Sequence, residues 1–382
     1  MNLMAPRIEI NLAKIGHNAK TLKNFFGKKG IKVTAVVKGV AGNLPVANAL
    51  IKSGITSLAD SKIMNIKKMK EAKLKADFLL LRTPALSEME QVVQYADISM
   101  NTEMEVIRAL SAEALRQRKV HSIILMVEMG DLREGILLKD FPAFIRQVLH
   151  LKGVQIVGIG TNFACFGGVL PTEQKMRKFS SFVQSIQSQF GLMLPYISGG
   201  NSANYNWLVQ TKDVGVVNHI RLGESILLGR ETVDGTPIPN VYGDAFRFIA
   251  EVIESKRKPS VPKGKRGKNF MGETVSFVDR GIIQRAILGV GRQDIYVSGL
   301  TPLLPVEILG ASSDHIVLDS SRVNLKPGDE VPFAVDYGAL LSAMTSPYVY
   351  KHTYLPSRRK EKQYKGQYRN DLSPNQLKKI VY

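Results

Sequence analysis

Between residues 30 and 222 the chain alternates short apolar runs with amphipathic, helix-like stretches, and it does so eight times. The apolar runs fall near 33–38, 55–59, 77–82, 97–100, 122–128, 155–162, 195–198 and 217–221. Runs that are apolar at consecutive positions belong to strands covered on both faces, as in parallel sheets. The stretches between them have helical periodicity: Ile63, Ile66 and Met69, with Ala59 nearby, share one stripe, and residues 102–118 read the same way. Asp60 and Ser87 are expected to cap two of these helices. Eight strand–helix units predict an α/β chain with a (β/α)8 TIM barrel over residues 15–235. The competing arrangement, a doubly wound open sheet, has fewer strands and a glycine fingerprint after the first, which this sequence lacks.

The texture changes after residue 236. Short apolar runs such as 286–290, 306–309 and 315–318 are separated by Gly, Pro and Asp, which predicts a C-terminal β-domain over 236–350. Residues 1–14 contain an alternating run, 7–12, expected to be a strand joining that domain. Residues 351–382 read as a flexible basic tail. The formal net charge of +19 is concentrated in this tail and in residues 256–268. Tyrosines interleave with Arg and Lys in the tail, a pattern compatible with nucleic acid or an anionic surface. Neither segment matches a recognised nucleic-acid reader, so a solvated loop and tail on an enzyme is the favoured reading. No run approaches the roughly 20 apolar residues of a membrane span. The N-terminus lacks the layout of a secretory signal, and the single Cys165 excludes an internal disulfide framework, so a cytoplasmic protein is expected.

Lys38 is the residue whose placement asks for a function. The run Val33-Thr34-Ala35-Val36-Val37 delivers it into the small, loop-forming segment 39–43. The C-terminal ends of barrel strands are where such enzymes keep their chemistry. An amine partly withdrawn from water there gives up its proton more easily and forms Schiff bases with carbonyls. A plain lysine capping a strand end is the alternative that this feature alone leaves open.

Six segments, in order along the chain, weigh against the alternative: Val37-Lys38, residues 130–135 (GDLREG), 198–202 (SGGNS), 221–225 (RLGES), 310–315 (GASSDH) and 337–340 (YGAL). Together they resemble the alanine racemase family of fold-type III pyridoxal phosphate (PLP) enzymes, most of all its ornithine racemase-like branch. The resemblance implies a barrel followed by a β-domain, PLP as cofactor, no metal, and a homodimer whose sites are shared across the interface. It implies that Lys38 carries the cofactor and exchanges the proton at the substrate's Cα. It places Asn201, Ser202, Gly223, Glu224 and Tyr337 around the phosphate. It sets Arg221 against the pyridine nitrogen, where a permanent cation disfavours protonation of the ring. Arg133 is implied to position the cofactor oxygen and the substrate carboxylate, although Asp131 and Glu134 offer it simple ion pairs.

The sequence also departs from the family. The segment 291–294 (GRQD) stands where alanine racemases carry their second base, a tyrosine, and Arg292 is no base because its pKa stays above about 12. Gly42 replaces a tyrosine after the lysine, Asn162 the histidine stacked on the ring, and Met126 a lysine near the arginine. His315 and Asp314 are the leading candidates for the proton on the second face, with Asp294 and Cys165 behind them. Asp314, Glu224 or Asp294 suits a substrate ammonium. The expected function is therefore racemisation of an amino acid, with ornithine or a similar diamino acid the leading small-molecule substrate. Another PLP reaction on this scaffold (decarboxylation, elimination or aldol cleavage) and a non-catalytic PLP-binding protein are the alternatives.

Overall fold

The computed structural model describes residues 3–269 and 271–355. They form two compact units, one of residues 12–243 and one in which residues up to Asn11 join 244–355. Tail residues 356–382 lie outside the described residues.

The chain opens with β1 (Arg7–Asn11), which belongs to the second unit, and then enters the barrel. The barrel strands are β2 (Lys32–Val36), β3 (Ser57–Asp60), β4 (Asp77–Leu80), β5 (Ile98–Asn101), β6 (His121–Met126), β7 (Val154–Gly160), β8 (Tyr196–Ser198) and β9 (His219–Leu222). All eight are parallel, in chain order, and the pairing of β2 with both β3 and β9 closes the ring. Each predicted apolar run contains or overlaps one of these strands. The intervening helices are α1 (Leu12–Gly27), α2 (Leu44–Lys52), α3 (Ile63–Glu71), α4 (Met89–Tyr95), α5 (Met104–Arg116), α6 (Phe141–Leu149), α7 (Glu173–Phe190), α8 (Tyr205–Gln210) and α9 (Glu224–Leu228).

Side-chain chemistry sets several of the helix ends. Asn43 caps α2 by accepting from Val46 N at 3.1 Å, and Thr172 caps α7 by accepting from Lys175 N at 3.4 Å. Ser87 does not act as a cap: it sits inside a 3-10 turn, and the Glu88 carboxylate accepts from Ala85 N instead. Asp60 does not cap α3 either: Lys62 occupies the cap position without a side-chain bond, and Asp60 Oδ1 accepts from Lys62 N one step earlier. Val36, Ala59, Leu79, Ile98, Met100, Ile124 and Met126, supplied by five neighbouring strands, pack into one buried cluster. Met126 is thus a core residue, and a Cβ at Gly160 would come within 2.9 Å of its sulfur. The family's lysine would bring an ammonium into this apolar space, so the departure at 126 is a packing matter.

The second unit is an eight-stranded sheet. Its further strands are β10 (Phe246–Pro259), β11 (Ile282–Leu288), β12 (Leu300–Pro302), β13 (Glu307–Ala311), β14 (Ile316–Asp319), β15 (Glu330–Val335) and β16 (Tyr350–Tyr354), with α10 (Tyr337–Thr345) before the last. The order is β12-β15-β10-β11-β14-β13, and β1 bridges β10 and β16. Residues 351–354, read from sequence as the start of the tail, are strand instead, because parallel pairing with β1 satisfies their backbone from Arg7↔Tyr350 to Asn11↔Tyr354. Arg7 sits buried in this sheet between Glu9 and Glu330, which it meets at 2.8 and 2.5 Å. Among the described residues no helix is long and apolar enough to cross a membrane.

Candidate active site

Lys38 begins a 3-10 turn directly after β2, half-buried, and among the described residues no hydrogen bond or ion pair holds its amine. The turn is tight: Ala41 and Gly42 both have positive φ, 49° and 57°. A Cβ at Gly42 would approach Asn65 Cβ to 2.9 Å, so the tyrosine of the family has no room here. Asn65 uses this space to donate to Asp60 Oδ1 at 3.1 Å. Asp60 is fully buried at the end of β3. Burial pushes its carboxyl up from the ordinary value, against the bonds from Lys62 and Asn65 and the charge of Lys38.

Arg221 leaves β9 into the barrel interior, with Thr34 its partner in register on β2, four residues before Lys38. Its guanidinium is buried and donates to Ser198 Oγ, to Thr161 O at 2.8 Å and to Asn162 Oδ1 at 3.3 Å. All three acceptors are neutral, and among the described residues no carboxylate pairs with it. Burial lowers its pKa to about 10, with Arg133 adding in the same direction and Cys165 opposing, so it remains a cation at neutral pH. Holding a cation in the interior without an anion is costly, and such a site favours an anionic or electron-rich ligand.

The other barrel candidates gather at the same end of the strands. Asn162 Oδ1 also accepts from Asn201 Nδ2 at 2.9 Å, and Asn201 reaches Phe163 O at 2.8 Å and Cys165 Sγ at 3.6 Å. Ser202 Oγ accepts from Gly223 N and Ser225 N, both at 3.3 Å, which leaves its own proton free to donate. Arg133 pairs with its neighbour Glu134, whereas Asp131 turns away to hold the 165–169 loop through Cys165 N and Phe166 N. Glu224 is paired with Arg230 at 2.9 Å. A cavity of 580 Å³ lined by Thr172, Glu173, Arg177, Trp207 and Asp213 includes neither Lys38 nor Arg221, so it is not where this chemistry is assembled.

Tyr337, Asp294, Asp314 and His315 all belong to the sheet unit. Tyr337 opens α10. Asp294 is buried and accepts from Ser346 Oγ at 2.7 Å. Asp314 is exposed and accepts from Ser313 Oγ, and His315 is exposed before β14 with its N–H on Ser312 Oγ at 3.1 Å. Arg292 is paired with Glu273 at 3.2 Å.

The sequence reading missed Ser198 and His219. Their signal was position: each lies in a short barrel strand that also supplies a candidate residue or leads into one. His219 is buried between Ser198 and Thr34, and burial lowers its pKa to about 3, with Arg221 and Lys32 contributing. It is neutral in the fold down to that pH but protonated below about 6.5 once unfolded. In that window the unfolded chain binds more protons, so stability rises with pH from about 3 to about 6.5 and levels off above. Burial lowers His121 to about 4, and its contribution has the same sign. The melting temperature is expected to fall from about pH 7 to about pH 5, and a His219→Gln variant to show a shallower fall.

A half-buried lysine after the first strand of a parallel barrel, a buried arginine held by neutral acceptors, and a separate, mainly antiparallel sheet are together the layout of a barrel enzyme with an added β-domain. The family model for the alanine racemase N-terminal domain matches residues 10–231. The chain is 40% identical to ornithine racemase of Acetoanaerobium sticklandii over 352 residues, 91% of this chain and 99% of that protein. It is 39% identical to lysine racemase of Thermotoga maritima over 357 residues, 93% of this chain and all of that protein. Alanine racemase from Clostridium difficile 630 shares the fold, with a TM-score of 0.72 at 18% identity, covering 93% of this chain and 97% of that one. The chain belongs to the alanine racemase family, and with it is a PLP-dependent amino-acid racemase.

The residues present fit that cofactor. Among the described residues, the buried groups without a hydrogen-bond partner include Asn162 Nδ2 and Ser225 Oγ, and no carboxylate pairs with Arg221. A phosphorylated pyridine with several acceptor oxygens satisfies groups of this kind.

Proposed function

We propose that the chain interconverts the L and D forms of a diamino acid, ornithine or lysine, with Lys38 as the base on one face of the substrate. The observation that carries this reading is the buried Arg221 cation, held by neutral acceptors beside the strand that delivers Lys38. When bound, PLP supplies the electron sink that makes the substrate's Cα–H acidic. Lys38 Nζ would hold the cofactor and, once displaced by substrate, take or return the Cα proton. Ser202, Ser225 and the Gly223 backbone would receive the phosphate, with Asn201 and Glu224 in the adjoining turns and Tyr337 from the sheet unit. Asn162 would meet the ring and Arg133 the substrate carboxylate. Arg221 would keep the ring nitrogen unprotonated and so limit the lifetime of negative charge at Cα, which favours simple proton exchange over decarboxylation, elimination or aldol cleavage.

On the opposite face the proton would be handled by His315 or Asp314, contributed within a homodimer by the neighbouring subunit. Of the three acids suited to a substrate ammonium, Glu224 is neutralised by Arg230 and Asp294 is buried on Ser346. Asp314, bonded to Ser313 Oγ and without an ion pair among the described residues, is the one left for that role. Two relatives acting on diamino acids support the substrate class. The single Cys165 fits a reducing, cytoplasmic setting.

The test is α-proton exchange in heavy water with PLP-loaded protein and separate L-ornithine, L-lysine, L-alanine and L-serine samples, read by NMR and chiral chromatography. Deuterated D-product is expected from ornithine or lysine. Exchange with retained L-configuration would remove the assignment of the second acid. No exchange from any of the four would defeat the proposal.

A further inference from the structure

In the barrel interior a line of hydrogen bonds runs from Arg221 through residues that the proposed reaction does not use. Arg221 Nη1 donates to Ser198 Oγ, which lies 2.8 Å from His219 Nδ1. His219 Nε2 lies 2.7 Å from Thr34 Oγ1, and Thr34 donates on to Ser57 Oγ at 3.0 Å. Ser198, His219 and Thr34 are all buried. The direction of each bond follows from the far end. Thr34 spends its proton on Ser57, so it accepts from Nε2–H, which leaves Nδ1 to accept from the Ser198 hydroxyl. The Ser198 oxygen then has lone pairs only for the guanidinium. Tyr196, edge-on to the imidazole at 5.2 Å, closes its side.

A carboxylate in the place of Ser198 would bind the guanidinium more tightly, and it would also cancel its charge. A hydroxyl backed by a neutral imidazole fixes the same group and leaves the charge intact. We infer that Ser198 and His219 are positioning residues for Arg221, fixing its guanidinium through uncharged acceptors so that its full positive charge remains available to the cofactor. The inference rests on the proposed role of Arg221 toward the ring nitrogen. It assigns His219 a single state, neutral with the proton on Nε2, and no part in proton transfer to substrate.

The experiment follows the imidazole nitrogen resonances of His219 in the full-length chain while PLP is added. The neutral Nε2–H pattern is expected before and after, with a shift on binding that Ser198→Ala abolishes. A hydrogen bond to a charged group is worth about 1.5–3 kcal/mol, so Ser198→Ala and His219→Leu are each expected to lower kcat about ten- to a hundredfold. KM should move little, and the visible band of the bound cofactor should change. His219→Gln, whose amide can accept from Ser198 and donate to Thr34, is expected to recover part of the loss. Should His219→Leu not fold, Ser198→Ala carries the test. Protonated His219, a resonance unmoved by PLP, or a Ser198→Ala variant with native kcat and native cofactor band would each overturn the inference. If the native chain exchanged none of the four amino acids, the proposed function would fail, while the PLP-induced shift would still decide the relay.

Discussion

Lys38→Ala is expected to lower racemisation by at least about a thousandfold and to abolish the visible absorbance of covalently held cofactor. Loss of a positioned acid–base group alone removes about 10²–10⁴ in rate, and here the same amine would also anchor the cofactor. The fold should be indifferent to the change. Among the described residues the amine holds no hydrogen bond or ion pair, so truncation removes only its charge near buried Asp60, and the melting temperature should stay close to native. An absorbance retained in Lys38→Ala would put the reactive amine elsewhere and remove the central assignment. A large loss of stability would mean that the side chain supports the turn.

Arg221→Met is the second large effect, and its two readouts are expected to diverge. Removing the guanidinium leaves Ser198 bonded to His219 and Asn162 Oδ1 bonded to Asn201, so the acceptor left short is Thr161 O. An unsatisfied buried acceptor costs about 1–3 kcal/mol. Against this, a buried cation without an anion is itself penalised by several kcal/mol in real proteins, and methionine lifts that penalty while filling similar volume. Thermal stability should therefore be native or higher. Racemisation should fall about a hundredfold or more, because a charge placed in a water-excluded site for the reaction is lost. Retained activity with unchanged stability would mean that the cation serves neither purpose. A collapse of stability would mark Arg221 as structural. The expected divergence is the pattern of a group kept for function at the expense of the fold.

His121, His219 and Arg221 show why a buried barrel residue cannot be judged from its type alone. An ordinary histidine titrates near neutrality, but burial takes His219 and His121 out of that range by pushing their pKa values to about 3 and about 4. The same burial leaves Arg221 charged, because even a pKa lowered to about 10 lies well above neutral pH. Burial thus silences the two imidazoles and leaves the guanidinium charged.

Much of the barrel was legible in the chain because parallel strands are covered on both faces, which writes them as short apolar runs at regular spacing. The strand-end placement of Lys38, Arg221, Asn201 and Ser202 was legible for a related reason: each follows or ends such a run, and strand ends are where barrel chemistry sits. Tertiary structure decided which candidates had partners. Glu224 looked available until Arg230 came beside it, and Asp131 was turned to the 165–169 loop rather than to Arg133. Residues 351–354 looked like tail because a strand paired to one 343 residues away carries no local signal. Ser198 and His219 stayed hidden because their meaning is a direction of hydrogen bonding through the barrel interior. Periodicity and strand ends are local properties of a sequence; pairing, burial and the field around a charge exist only once distant segments share a space.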